Sequence, residues 1–351
     1  MDNRHMVLSD DYTIKGSDSE KVLFDLIRGE RYELTLDQFE FLSFCNGSLK
    51  TEEILARYED ESRRTVVELI GNLERIGAVR FIQGRTSRKI NATSVPEIRL
   101  RGVHLEATSK CNMRCAHCYQ GDAYPVSENL TIEETSHLFQ EMEAMQVESV
   151  SISGGEPFED DKTFQMLRLI EKHDMRLASI FTNGVLINDK IIGIILRCRS
   201  NPTLFVSLDS MTVEGMRFRG FDLIGGERAL DAIIENIKKL VSAKIRVVVN
   251  TALNKQNASY MCEMYELMRS LGASSWRIGF PKKTGFFKNN SKFELSWEES
   301  AKISFDLLKY HLDRDRSFHL QIEYLYRKEL FEVLQPLADD SFVCNYESRR
   351  E

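Results

Sequence analysis

Val103-His104-Leu105-Glu106-Ala107-Thr108-Ser109-Lys110-Cys111-Asn112-Met113-Arg114-Cys115-Ala116-His117-Cys118 is a short strand-forming run followed by three cysteines spaced C-x3-C-x2-C. With seven cysteines in 351 residues, such a triplet would arise by chance roughly 0.003 times per chain. Three thiols on one loop after a strand point to a metal. A cubane iron–sulfur cluster normally takes four thiolates, so three leave one iron open to a further ligand. The alternative is a Cys3His zinc site using His117, whose imidazole, wedged between Cys115 and Cys118, would have difficulty converging on their metal.

Moving outward, strand-like runs recur at Ser149–Ser153, Leu177–Thr182, Leu204–Leu208, Ile245–Thr251 and Ser275–Phe280. Helical periodicity fills the gaps. The first of these helices has a capping pair in Thr131 and Glu134, and a later one carries Leu230, Ile233, Ile234, Ile237 and Val241 along one face. Six βα units in series predict an α/β fold, a partial (β/α)6 TIM-like barrel with its chemistry at the C-terminal strand ends.

Residues 1–90 read differently. Val22–Ile27 and Arg31–Leu34 form a hairpin candidate around Arg28-Gly29-Glu30. Thr35 and Gln38 have capping-box spacing for a helix through Phe44 that Gly47 closes, and a second helix opens at Thr51. A third spans Ser62–Ile76 on the stripe Val66, Leu69, Ile70, Leu73 and Ile76, before a strand at Ala78–Ile82. Two or three strands, three helices and a strand describe a winged-helix α+β domain. The polar stretch from Gly84 to Pro96 marks a linker, giving the division 1–90, linker 91–100, barrel 101–314 and a helical extension 315–351.

Lys and Arg total 47 against 54 Asp and Glu, a net charge of −7, which disfavours a nucleic-acid partner. Residues 1–90 contain 14 basic and 17 acidic side chains, which argues against a DNA-binding winged helix. No apolar run approaches the roughly 18–20 residues needed to cross a bilayer, and the N-terminus has no apolar signal segment, so the expectation is a cytoplasmic protein without a membrane partner. Cys45, Cys198 and Cys262 fall in helical stretches and read as buried small hydrophobes.

The cysteine triplet followed by Tyr119, with Ser153-Gly154-Gly155-Glu156-Pro157 further on, resembles the radical S-adenosylmethionine (radical SAM) superfamily over roughly Arg101–Arg314. The resemblance implies a [4Fe-4S] cluster on Cys111, Cys115 and Cys118, with His117 packed against the S-adenosylmethionine. It also implies that the Gly154-Gly155-Glu156 segment holds the cofactor's amino group. The chemistry is compatible, since two glycines permit close backbone approach and Glu156 offers countercharge. Further cofactor contacts are expected at Tyr119, at Thr182 and Asn183 ending the third strand, at Ser207 and Asp209 ending the fourth, and at Asn250 ending the fifth. Arg217-Phe218-Arg219-Gly220 resembles an Arg-Gly element of peptide-modifying members, and Arg219 could take a carboxylate bidentately.

From Met6 to Ile82 the chain resembles the PqqD-like element of peptide maturases, in which a leader peptide adds a strand, here beside Arg31–Leu34, and packs against the helix Ser62–Ile76. Phe342-Val343-Cys344 resembles the start of a SPASM auxiliary-cluster domain, of which the sequence carries no more, either because the domain is truncated or because the sequence is cut there. Together these imply a maturase of ribosomally made peptides. Its partners would be a precursor peptide and a reductant such as flavodoxin or ferredoxin. One-electron reduction of the cofactor would give a 5′-deoxyadenosyl radical that takes a hydrogen atom from the peptide. No residue is singled out as catalytic. Thioether formation, carbon–carbon crosslinking, epimerisation and decarboxylation all remain open. The alternatives are a radical SAM enzyme acting on a small metabolite, or a zinc-containing winged-helix binding protein.

Overall fold

A computed structural model describes residues 3–16, 20–88, 90, 100–121, 130–221, 225–314 and 317–323. Cys344, the rest of 324–351 and most of the expected linker lie outside the described residues.

The N-terminal unit runs β1 (His5–Leu8), β2 (Tyr12–Gly16), β3 (Lys21–Asp25), β4 (Arg31–Leu34), α1 (Leu36–Phe44), β5 (Asn46–Lys50), α2 (Thr51–Leu55), α3 (Asp60–Arg75) and β6 (Val79–Ile82). Two small antiparallel sheets result, ordered β5-β1-β6 and β2-β3-β4. The hairpin and the three helices expected from the sequence are present, and the capping box of Thr35 and Gln38 closes in both directions, at 3.2 and 3.0 Å. β3 stops at Asp25 rather than Ile27 because the Asp25 carboxylate accepts the N–H groups of Ile27 and Arg28, both at 2.8 Å, which turns the chain.

The sheet content exceeds the expectation. Gly47, read as a helix stop, lies inside β5, where φ is +80° and a Cβ would meet the Thr86 methyl at 2.2 Å. Asn46-Gly47-Ser48 has turn composition, and only the pairing with β1, about forty residues away, makes it a strand. Tyr32 and Leu34 of β4 and Leu69 of α3 border one buried cluster centred on Met6, Leu23, Phe41 and Ile70. β4 is an edge strand, and among the described residues nothing pairs with its outer side.

The second unit runs β7 (Gly102–Glu106), α4 (Ile132–Ala144), β8 (Ser149–Ser153), α5 (Lys162–Lys172), β9 (Arg176–Thr182), α6 (Asp189–Ile195), β10 (Thr203–Ser207), α7 (Val213–Met216), α8 (Glu227–Ser242), β11 (Val247–Ala252), α9 (Met261–Ser270), β12 (Ser275–Gly279), α10 (Trp297–Leu312) and β13 (His319–Ile322). The strands are parallel and ordered β13-β12-β11-β10-β9-β8-β7, an open barrel wall. The six βα units stand as expected. A seventh strand, β13, follows within the stretch read as a helical extension, which corrects that expectation for His319–Ile322.

Val150, Ile152, Ile180, Leu204, Val206 and Val249 fill the buried side of the sheet, against Phe139, Ile170, Ile233 and Ile237 of the helices. Along β8, β9 and β10 buried side chains alternate with more exposed ones, a period-two pattern that made these strands visible in the sequence. No helix among the described residues is long and apolar enough to cross a membrane.

The N-terminal unit sits against the rim where the barrel strands begin. Arg31, at the start of β4, forms an ion pair with Glu148, just before β8. The Arg176 side chain donates to the Ile27 carbonyl at 3.2 Å, and Arg199 donates to the Asp10 carbonyl at 3.2 Å. Lys15 is buried near this contact; burial lowers its pKa, opposed by the carboxylates of Asp174, Glu143 and Glu148. The opposite rim, where the strands end, is left clear of this contact.

Candidate active site

The cysteine loop leaves the C-terminal end of β7 and is braced from two directions. The Ala116 N–H donates to the Phe218 carbonyl at 2.8 Å, and Gly220, at φ +72°, brings its backbone so close to the Arg114 carbonyl that a Cβ would lie 2.7 Å from it. After β12, the Phe286 N–H donates to the Cys118 carbonyl at 3.0 Å and the Asn290 amide donates to the Ala116 carbonyl at 3.3 Å. Gly285 has no room for a Cβ, which would meet the Cys118 carbonyl at 2.2 Å. The sequence reading missed this second brace. Its only local signal is a glycine before two aromatics, and the contact it makes is about 165 residues distant.

His117 stacks on Phe218 with ring centroids 4.3 Å apart and planes at 14°. Burial, with Arg219 nearby, lowers its pKa to about 4, so the imidazole is neutral. Its Nδ1 has no hydrogen-bond partner in the structure. Burial pushes the Cys115 thiol up to about 12 and raises Cys111 as well. Such thiols stay protonated until a metal supplies the compensating positive charge. Among the described residues no three His, Cys, Asp or Glu side chains converge on a point that one ion could occupy.

Two adjoining cavities open at the strand ends. The first, about 290 Å3, is lined by Cys111, Cys115 and Cys118 together with Gly154, Gly155, Thr182 and Asn183. The second, about 620 Å3, is lined by Asn250, Arg277, Lys282 and Glu323 among others. His117, Tyr119, Ser207 and Arg219 border both. Tyr119 is 58% exposed, and its hydroxyl is bonded to Glu106. The buried Asn250 Oδ1 has no donor.

Two residues expected to touch a cofactor are held behind the cavity walls instead. Glu156 is fully buried, and its carboxylate accepts the Thr182 hydroxyl at 2.7 Å, the Asn183 N–H at 2.7 Å and the Phe158 N–H at 3.2 Å. The countercharge expected from Glu156 is thus directed to the end of β9. Asp209 is also fully buried; it grips Arg219 through Nε at 2.8 Å and Nη2 at 3.1 Å, and accepts the Ala252 N–H at 2.7 Å. Arg219 does take a carboxylate, with one hydrogen bond through Nη2 and Nε in ion-pair contact, but that carboxylate belongs to Asp209.

Gly154 is likewise required by the fold. At φ +132° a Cβ there would lie 2.4 Å from the Thr108 carbonyl, because the chain after β8 packs directly on the segment leading to Cys111. The Gly155 N–H donates to the Thr108 carbonyl at 2.9 Å and the Glu156 N–H to the Lys110 carbonyl at 2.8 Å.

Burial raises the Glu156 carboxyl from its ordinary 4.5 to about 7, despite the opposing Asn183, Thr182 and Phe158 donors. The folded chain then binds this proton more tightly than the unfolded chain. Stability from the protonated form is full below pH 4.5 and is lost as pH rises through about 7, by about 3 kcal/mol. Thermal melts of the metal-free protein are expected to fall across this window and Glu156→Gln to flatten the slope. An unchanged slope in the variant would remove Glu156 as its source.

Residues 105–268 match the Radical SAM superfamily, a family that uses a [4Fe-4S] cluster and S-adenosylmethionine. The chain is similar to the AdoMet-dependent heme synthase of Methanosarcina barkeri, 29% identical over 182 residues, covering 51% of this chain and 50% of that protein. It is similar to the sporulation killing factor maturation protein SkfB of Bacillus subtilis, 26% identical over 200 residues, covering 57% and 47%. The chain spans about half the length of these curated relatives. Among solved structures, Streptococcus suis SuiB bound to its precursor peptide SuiA superposes with a TM-score of 0.62 at 16% identity, over 98% of this chain and 77% of SuiB. At that identity the likeness shows the fold alone.

The residues present fit these cofactors by the chemistry of the donor set: three thiols of one loop line a single cavity, with an unpartnered His117 Nδ1 close by. Cys111, Cys115 and Cys118 would hold the cluster, which with the cofactor would supply one-electron chemistry at this cavity. The chain braces the loop, keeps His117 neutral and walls the site with Thr182, Asn183, Ser207 and Arg219.

Proposed function

We propose that this chain is a radical SAM enzyme that modifies a ribosomally made precursor peptide, with residues 1–90 as the recognition unit and 101–314 as the catalytic barrel. Cys111, Cys115 and Cys118 hold the cluster. His117, Tyr119, Gly154, Gly155, Thr182, Asn183, Ser207, Arg219 and Asn250 surround the cofactor and substrate, and Glu156 and Asp209 position them from behind.

The observation that carries this reading is β4, an edge strand with its outer side unpaired among the described residues, next to a helix and an apolar cluster. An extended peptide adds to such an edge through backbone hydrogen bonds. The peptide-bound SuiB structure and the maturation protein SkfB support the same substrate class, while the heme synthase keeps a small-metabolite substrate as the second reading.

The test is binding and modification of a short peptide encoded beside the gene, using the full chain with its cluster reconstituted. Backbone augmentation predicts an affinity that changes little between low and moderate salt, with amide perturbations at Glu30–Thr35 and Thr65–Ile76. Binding to phosphates would instead weaken steeply with salt. Absence of any mass change in the peptide, with S-adenosylmethionine cleavage intact, would move the small-metabolite reading ahead.

A further inference from the structure

We propose that Arg277, assisted by Lys282, is the anchor for a carboxylate carried by the substrate at the barrel mouth, so that the peptide presents an Asp or Glu near the reacting position. This rests on the peptide reading above and narrows it.

Register places the anchor. Ser207 of β10 lies beside Asn250 of β11, Asn250 beside Arg277 of β12, and Arg277 beside Gln321 of β13. Ser207, Asn250 and Arg277 all line the 620 Å3 cavity. They form one polar layer across the strands, facing the space next to the cysteine loop.

Arg277 stands apart from the other arginines. It is partly buried, yet its guanidinium has no hydrogen bond or ion pair among the described residues. Among the described residues, every other partly or fully buried arginine has an acceptor. Arg31 has Glu148, Arg88 has Asp10, Arg176 has the Ile27 carbonyl, Arg199 has Asp174, Arg219 has Asp209 and Arg269 has Glu266. A guanidinium taken partly out of water without an acceptor is costly, and its planar fork matches a carboxylate. The Lys282 ammonium, exposed at the rim of the same cavity, is also unpaired.

The neighbouring groups define the ligand further. Asn250 offers a buried amide oxygen without a donor, immediately beside Arg277 in register. A ligand satisfying both residues carries an anionic acceptor and an N–H donor a few bonds apart, as an acidic residue within a peptide does. Glu323 contributes a carboxylate to the same lining, held by the Phe280 N–H at 3.1 Å. That negative charge disfavours a phosphate dianion more than a single carboxylate.

The test uses the full chain with its cluster reconstituted and three probes: N-acetyl-glutamate N-methylamide, its glutamine counterpart and inorganic phosphate. Wild-type protein should bind the glutamate probe in preference to the glutamine probe. Arg277→Gln should weaken the glutamate probe by about tenfold to a hundredfold, the loss of a charge-assisted hydrogen bond, and Arg277→Lys should restore part of it. Cluster absorbance confirms that both variants are assembled. Equal binding of the two amino-acid probes to wild type, or no loss in Arg277→Gln, overturns the proposal. Preferential binding of phosphate also overturns it, and a matching fall in S-adenosylmethionine affinity would reassign the guanidinium to the cofactor. If the glutamate probe binds as expected but no peptide is modified, the peptide reading fails while the carboxylate site stands.

Discussion

Replacing Cys111, Cys115 and Cys118 together with Ala is expected to leave a folded protein that takes up no iron or sulfide and does not cleave S-adenosylmethionine. The loop is held by contacts that do not involve sulfur: the Ala116 and Phe286 N–H groups, the Asn290 amide, and the close approach of Gly220 and Gly285. Removing three thiols therefore deletes ligands without deleting the scaffold. After anaerobic reconstitution the wild-type chain should carry about four irons and four sulfides. Retention of that content in the triple variant, or one zinc and no iron in the wild type, would overturn the assignment of these residues.

Asp209→Ala should produce the largest loss of stability of any single change in the site. It leaves Arg219 buried without its carboxylate partner and strips the Ala252 N–H of its acceptor. Breaking a buried pair from one side costs about 3–5 kcal/mol. At about 2–4 °C per kcal/mol for a domain of this size, the melting temperature should fall by about 6–20 °C. Asp209→Asn, which keeps an acceptor but not the charge, should fall between. Because Arg219 borders both cavities, cofactor affinity should decline in the same order. A melting temperature within a degree of wild type in Asp209→Ala would show that the pair is not structural.

The barrel was legible because its evidence is local. Each strand carries its own alternating or consecutive apolar residues and each helix has its own period, so β8 and the stripe on α8 could be read without knowing what they touch. The cysteine loop was legible for the same reason, since three ligands share one loop. What escaped depends on distant partners. β5 exists through β1, the roles of Glu156 and Asp209 through Thr182 and Arg219, and the second brace of the cysteine loop through Gly285. Glu156 and Asp209 were recognised as important, but a sequence does not show whether a carboxylate faces a cavity or its back wall. Arg277 belongs to no motif and is conspicuous only once every comparable arginine is seen to have an acceptor.

The placement of the N-terminal unit makes the barrel a ruler. Arg31 fixes the start of β4 to Glu148 at the rim where strands begin, while the cysteine loop lies at the rim where they end. β8, with 5 residues, spans the wall between them, about 17 Å at 3.3 Å per residue. Under the proposed function, a precursor held on β4 would have to cover that height before any of its atoms reached the mouth, which takes at least about five fully extended residues. Residues nearer the anchored segment would then be out of reach whatever their chemistry. Position along such a precursor would filter candidate residues before the pocket does, and shortening the spacer should silence modification without loosening the grip on the leader.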